Sequence, residues 1–254
     1  MQVYSQEDQL IERWQWNDPA LRNLSDVVVG LLHEVAQPGM SVLDLGCGTG
    51  RLAADLAQAG FAVTGIDVEE RAVAIGQRIL ARRGLNVTLY AGDIHDQQHP
   101  VAAVRYDIII CTEVLEHVEH WRELIVRAGE LLRPSGFLVI SVPRDPAQYS
   151  VLDTYAGHIR RFRDADLCLA LDPTYREIVM RRLGFPSMRL IVWLYTTALR
   201  LSGGSHAQQS QALWREPTLA RRLYLAVFYR LLKLDNLFAA LPLGTTLVVR
   251  VRKR

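Results

Sequence analysis

Glu113, Glu116 and His117 stand within five residues of one another, with His120 close behind and His158 further along. If residues 113–117 turn as a helix, the two carboxylates and the imidazole share one face through i,i+3 and i,i+4 spacing. Carboxylate oxygens and an imidazole nitrogen are ligands for Mg²⁺, Mn²⁺ or Zn²⁺. Such an ion would lower the pKa of a hydroxyl brought to it. The imidazole of His117 alone is equally a general base. A third reading has the acids capping a helix start and lining a pocket while the histidine packs.

A second group surrounds Gly46-Cys47-Gly48-Thr49-Gly50. Glycines at every second position let a backbone turn sharply and let a ligand come within contact distance. The apolar run Val42-Leu43-Asp44-Leu45 leads in and a helix-forming segment follows, so the stretch predicts strand, turn and helix start. A second strand, 61–66, ends at Asp67. An acid at that tip can accept hydrogen bonds from both hydroxyls of a ribose. An adenosine-containing cofactor is expected. The dinucleotide fingerprint is not met, because Arg51 stands where its last Gly or Ala belongs. No lysine follows the turn, which argues against a triphosphate.

These residues need a scaffold. Residues 5–36 read as helical, with Asn17-Asp18-Pro19 capping a second helix. Strands at 41–45, 61–66, 87–91, 106–111 and 137–142 alternate with helices at 50–59, 69–83 and 119–132, and Pro134-Ser135-Gly136 is expected as a turn. That alternation implies a parallel sheet covered on both faces, with ligands at the carboxyl ends of its strands. Asp44, Asp67, Asp93 and Glu113 fall at or near such ends. Residues 143–163 are expected to be irregular. A helix is expected from Asp164 to Leu183, a sixth strand over Met188–Leu194 and a last strand over Thr245–Val251. A flexible stretch over Ser202–Gln211 is expected between them, followed by one long helix over 218–241.

The ordered segments Leu43–Gly50, Gly65-Ile66-Asp67, Ala91-Gly92-Asp93-Ile94, Tyr106–His117 and Leu131–Phe137 resemble class I S-adenosylmethionine-dependent methyltransferases. The likeness runs from about Ser41 to Pro143. It implies a Rossmann-like, doubly wound α/β fold with a seven-stranded sheet, its last strand antiparallel and preceded by a helical insertion. It implies S-adenosylmethionine as cofactor, held by Asp44, Gly46, Cys47, Gly48, Gly50, Asp67, Val68, Asp93, Ile94, Thr112 and Glu113. In this scheme Asp67 takes the ribose hydroxyls, Val68 packs on adenine and Asp93 lies near the adenine amino group. The stretch Thr112–Val118 resembles the ubiquinone-biosynthesis O-methyltransferases and the small-RNA 2′-O-methyltransferases. That likeness implies catalytic roles for His117, Glu113 and His158. It also implies a site for Mg²⁺ or Mn²⁺ at Glu113, Glu116, His117 and His158.

Four regions are therefore expected: an N-terminal helical segment over the cofactor site (1–40), the cofactor-binding core (41–198), a helical insertion (199–243) and the final core strand (244–254). Charge divides the chain unevenly. Residues 1–180 carry a net −9 and residues 181–254 a net +11. Along 218–241, Leu223, Val227, Leu231, Leu234, Phe238 and Leu241 fall on one side at about 100° per residue. Arg221, Arg222, Arg230 and Lys233 fall on the other. This amphipathic helix reads as a lid or membrane-surface element, or as a cover for the sheet or a dimer seam. Arg160, Arg161 and Arg163 read as an anion clamp or as solvated arginines, and Trp193 as a packing residue. Cys47, Cys111 and Cys168 show no metal or disulfide spacing.

Met1–Asp18 is polar and acidic, unlike a secretory signal, and no uncharged apolar run approaches a membrane span. The expectation is a cytoplasmic protein, or one peripheral at the inner membrane face. The function expected is methyl transfer to oxygen of a small-molecule or lipid-linked acceptor, with no DNA partner and a homodimer as one arrangement. The alternatives are a metal-dependent RNA 2′-O-methyltransferase and a cofactor-binding protein without catalysis.

Overall fold

The computed structural model describes residues 5–172, 174–202 and 219–254. Of the flexible stretch expected over Ser202–Gln211, Ser202 ends a helix and the rest, with His206, lies outside the described residues, as does Trp214.

Two helices open the chain, α1 (Gln6–Trp14) and α2 (Pro19–His33). Ser5 and Asp8 form a capping box at the first. Asp18 caps the second through the amides of Ala20 and Leu21, with Pro19 supplying a preset φ. The alternating body follows: β1 (Ser41–Leu45), α3 (Arg51–Gln58), β2 (Ala62–Asp67), α4 (Glu70–Arg82), β3 (Thr88–Ala91), β4 (Tyr106–Thr112), α5 (Trp121–Leu131) and β5 (Leu132–Pro143). Each lies within a few residues of its expected place except β5. That strand begins at Leu132, so Pro134-Ser135-Gly136 lies inside it; Ser135 is left-handed there (φ 61) and the pairing with β4 shifts register after Tyr106.

The sheet order is β3-β2-β1-β4-β5-β7-β6. β7 (Thr246–Lys253) runs antiparallel between β5 and β6 (Tyr175–Leu183). Both faces are covered, which is why β4 carries three successive fully buried isoleucines, Ile108, Ile109 and Ile110. Burying each contributes about 1.5–3 kcal/mol. Ile109 packs with the α5 side of the sheet, Ile108 and Ile110 with the α2–α3 side.

Between β5 and β6 lie two short helices, α6 (Val151–Ala156) and α7 (Asp164–Leu171). Between β6 and β7 lie α8 (Ser187–Ser202) and α9 (Leu219–Asp235). Four expectations are corrected here. Residues 143–163, expected to be irregular, contain α6, opened by the Ser150–Asp153 capping box. The helix expected to reach Leu183 stops at Leu171, and the remainder is β6: Tyr175-Arg-Glu-Ile-Val-Met-Arg-Arg-Leu183 pairs along β7 from Tyr175–Lys253 to Leu183–Thr246. The strand expected over Met188–Leu194 is instead the start of α8. Its first amides, of Ser187 and Met188, donate to the buried carboxylate of Asp235, nearly fifty residues away in the chain. The long helix expected over 218–241 ends at Asp235 and gives way to a 3₁₀ turn over Asn236–Phe238.

Candidate functional site

The sheet order reverses at β1, which is flanked by β2 and β4, and the crevice at its carboxyl end is where an open α/β sheet binds ligands. The glycine turn stands there. Gly46, Gly48 and Gly50 all have positive φ, at 71°, 52° and 73°. A Cβ on Gly46 would lie 2.3 Å from Val114 Cγ2, so that glycine lets the post-β4 turn close on the loop. A Cβ on Gly48 would meet nothing within 4 Å; the space beside it is open to a ligand. The Gly48 amide donates to Asp67 Oδ2 (2.7 Å) and the Glu69 amide to Asp67 Oδ1 (2.9 Å), so the acid at the tip of β2 is fixed against the turn. Val68 beside it is 76% exposed. Asp67 pairs in register with Ala91, which brings the end of β3 alongside, with Asp93 exposed and Ile94 buried in the core.

Asp44 is buried at the end of β1, and its Oδ2 has no hydrogen-bond partner among the described residues. Burial pushes its pKa up to about 7, against the pull of the nearby Arg51 guanidinium. An acceptor of this kind beneath an open glycine turn fits a cofactor that brings an ammonium or a sulfonium. Together the turn, Asp67 and this orphaned oxygen fit S-adenosylmethionine. Cys47 and Cys111 are buried thiols whose pKa values burial raises.

The N-terminal helices reach this turn. Trp16 Nε1 donates to Thr49 Oγ1 (3.1 Å), and that hydroxyl donates to Gln15 Oε1 (3.2 Å). Upstream, the fully buried Asp8 takes a bidentate pair from Arg78 of α4, at 2.8 and 2.7 Å, while Glu12 pairs with Arg82 and Arg83. None of these partners was legible from local spacing.

After β4 the chain turns through Glu113, whose φ of 54° costs a non-glycine residue roughly 1–2 kcal/mol. Its amide donates to the Ser141 carbonyl (3.0 Å), and Ser141 Oγ donates to Glu113 Oε1 (2.7 Å). Burial raises the Glu113 pKa, with Ser141 and Arg161 opposing. Glu113 is thereby held at Ser141, and its carboxylate is not among the ligand atoms that gather at the two histidines. It helps line a pocket of about 70 Å³ with Leu21 and Leu24 of α2, Met188 of α8 and Leu232 of α9.

Glu116, His117 and His158 do come together, each offering a ligand atom within 4.8 Å of the others. The four-residue ligand set expected from the sequence is thus reduced to three, because the Ser141 contact holds Glu113 elsewhere. Glu116 is fully buried, neither carboxylate oxygen has a hydrogen-bond partner among the described residues, and burial followed by the Glu113 charge pushes its pKa up to about 9. His158 Nε2 is 3.8 Å from Glu116 Oε1. His158 Nδ1 lies 3.1 Å from Asp153 Oδ1, and His117 Nδ1 lies 3.1 Å from the Gly157 carbonyl. A carbonyl and a carboxylate can only accept, so each ring carries a proton on Nδ1, and in the neutral ring the lone pair is then on Nε2. Burial also lowers the His158 pKa, which favours the neutral ring. His120 is exposed beside Glu123 and stays outside the group.

Sequence reasoning missed Asp153, although the Ser150–Asp153 capping box that opens α6 was visible in its spacing. Burial works against its charge, but hydrogen bonds from Arg161 and His158 prevail and lower its pKa. Arg161 is therefore no solvated arginine: its Nε donates to Asp153 (2.7 Å) and its Nη1 to the Arg144 carbonyl (3.1 Å). Trp193, expected to pack, is 60% exposed.

A family model described as a methyltransferase domain matches residues 11–179. A ubiquinone biosynthesis O-methyltransferase of Nitrosospira multiformis is 30% identical over 56% of this chain and 61% of its own length. That of Azoarcus sp. is 34% identical over 41% and 44%. The chain thus spans about half the length of the curated relatives it matches. Among solved structures, the magnesium protoporphyrin IX methyltransferase of Synechocystis PCC 6803 with bound S-adenosylhomocysteine is 27% identical over 62% of this chain and 74% of its own, at a TM-score of 0.51. The glycine turn, the acid at the tip of β2 and these matches agree, and the chain belongs to the class I S-adenosylmethionine-dependent methyltransferase family.

Proposed function

We propose that this protein transfers a methyl group to a hydroxyl of a small or lipid-linked acceptor. The observation that carries this reading is the pair of imidazoles whose Nδ1 atoms are committed to acceptors, which puts the lone pair of each neutral ring on Nε2, beside a Glu116 carboxyl unpartnered among the described residues. S-adenosylmethionine supplies a methyl already activated on a sulfonium, so the protein's task is alignment, water exclusion and removal of one proton. Gly46, Gly48 and Gly50 shape the cradle, Asp67 accepts from the ribose, and Val68, Asp93 and Ile94 border the adenine. Asp44 takes the cofactor's cationic end, with Cys47 and Thr112 in the wall. His117, oriented by the Gly157 carbonyl, accepts the acceptor's proton. His158, oriented by Asp153, serves as the second basic nitrogen. The likeness to ubiquinone-biosynthesis enzymes supports oxygen as the methylated atom.

The same geometry supports a metal-assisted version. Glu116, His117 and His158 would hold a divalent ion, and each imidazole already has the outer hydrogen bond that metal-bound histidines keep. One carboxylate with two imidazoles suits Mn²⁺ or Zn²⁺ better than Mg²⁺. The ion would supply acidification of the hydroxyl.

Labelled S-adenosylmethionine, offered with phenolic, catecholic and extracted-lipid acceptors, tests the reading. Transfer to oxygen is expected, falling about 10²- to 10⁴-fold in His117→Ala. Activity lost to a chelator and restored by Mn²⁺ selects the metal-assisted version; indifference to the chelator selects His117 as base. Folded protein that binds S-adenosylhomocysteine yet labels no acceptor overturns catalysis. Label released by nuclease would make RNA the acceptor.

A further inference from the structure

The amphipathic helix α9 is docked the opposite way from a core helix. Its inward side carries Leu232, which is buried, and Tyr229, which lies against Arg22 and bonds to Asp26 of α2. Lys233 also reaches Asp26 (2.6 Å), and the buried Asp235 anchors α8. The apolar stripe points away from this contact. Leu223, Val227, Leu231 and Leu234 are 59%, 55%, 38% and 57% exposed, and Phe238 and Leu241 continue it. Neighbouring α8 adds Leu190, Trp193 and Leu194 at i, i+3 and i+4, each more than half exposed. Phe185 packs on Phe238, but the described residues leave the rest of this stripe largely open, and none of the described helices is long and apolar enough to cross a membrane. Burying a stripe of this size in water's place is the hydrophobic effect left unspent.

Charge says what the surface is built for. Between Ser187 and Leu241 there are seven Arg and Lys residues against two acids, one of which, Asp235, is buried and occupied. Arg230, expected on the side opposite the stripe, is exposed and borders it, at i+3 from Val227 and i−4 from Leu234. An apolar face bordered by Arg230, in a segment whose sequence carries this excess of cations and beside the exposed Trp193 of α8, matches the headgroup region of an anionic bilayer, where cations meet lipid phosphates and apolar side chains enter the acyl boundary. A dimer seam of this composition would set like charges against each other across a two-fold axis.

We infer that α8 and α9 form a platform that docks the protein on an anionic lipid surface. The platform also bears on the site, because Met188 of α8 and Leu232 of α9 line the pocket that holds Glu113. A lipid-linked acceptor held at that surface would lie beside the helices that wall this pocket; this corollary alone rests on the methyl-transfer reading.

Full-length protein is sedimented with vesicles of phosphatidylcholine alone and of phosphatidylcholine with phosphatidylglycerol. Binding to the anionic vesicles is expected, weakened by added salt and reduced at least about 10-fold in Leu231→Glu/Leu234→Glu. Trp193→Glu is the second variant, should the first fail to fold. Retained S-adenosylhomocysteine binding shows that either variant is folded. Wild type that stays in solution with both vesicle types overturns the inference, as do variants that bind like wild type. A dimer in solution that these variants split, without vesicle binding, overturns it in favour of self-association. Vesicle binding is read without acceptor, and methyl transfer to a soluble acceptor without vesicles, so each reading fails separately.

Discussion

The two halves of this molecule treat their apolar residues in opposite ways. From Ser41 to Pro143 the central strands β1 and β4 are sealed between helices, and residues such as Ile108 to Ile110 are wholly buried. From Ser187 to Leu241 the helices show their apolar stripes to the outside and attach through hydrogen bonds and charge: Asp26 with Tyr229 and Lys233, Asp235 with the start of α8. The first arrangement is that of a scaffold for a cofactor and the second that of a surface awaiting something apolar. Hydrophobic patterning fixes which side chains share a face, while polar anchors decide which way that face looks.

The largest effect that sharpens this contrast is expected inside the cradle. Gly48→Leu starts a side chain where no described protein atom lies within 4 Å of its Cβ, so S-adenosylhomocysteine affinity should fall at least about 100-fold by calorimetry. The fold should lose only roughly 1–2 kcal/mol from the left-handed φ. Unchanged affinity would place the cofactor elsewhere. A smaller effect is expected where α1 is tied down. Arg78 chiefly holds the Asp8 carboxylate at about 2, against an ordinary 3.8. A depressed carboxylate pKa stabilises the fold above the unfolded value and loses that contribution as pH falls through the folded one. Asp8→Asn should therefore cost about 2 kcal/mol in urea melts at pH 7, with the gap to wild type closing as pH falls from about 4 toward 2. A gap that persists at low pH would mean the loss is one of packing. The smallest effect belongs to the outer stripe. Val227→Ser should change stability by no more than about 0.5 kcal/mol, because the side chain buries little in the folded chain. A loss of 2 kcal/mol would show that the stripe is covered and break the comparison.

How much could be read in advance follows the same division. The glycine turn, Asp67 and the five parallel strands are announced by contiguous residues, because a turn needing positive φ and a strand buried on both faces each constrain their own local sequence. The Glu116–His117 pair is equally local. Its partner His158 and the loss of Glu113 to Ser141 are not, since both depend on β5 and α6 arriving beside the end of β4.

In the C-terminal half the local signals were ambiguous. Residues 175–183 carry apolar side chains at i, i+4 and i+8, which suit a helix, and also the β-branched pair Ile178-Val179, which suits a strand; pairing with β7 decides for the strand. The run Met188–Leu194 has no period to distinguish strand from buried helix, and the carboxylate of Asp235 settles it by accepting the first amides of α8. The sequence by itself determined the cofactor cradle, the alternating sheet and the amphipathic character of α9, because each is written in neighbours along the chain. Only the tertiary structure decided which three residues meet beside β4, where β6 replaces a helix, and that the apolar face of α9 looks outward. Those outcomes rest on hydrogen bonds and ion pairs between residues far apart in sequence, whose spacing leaves no local trace.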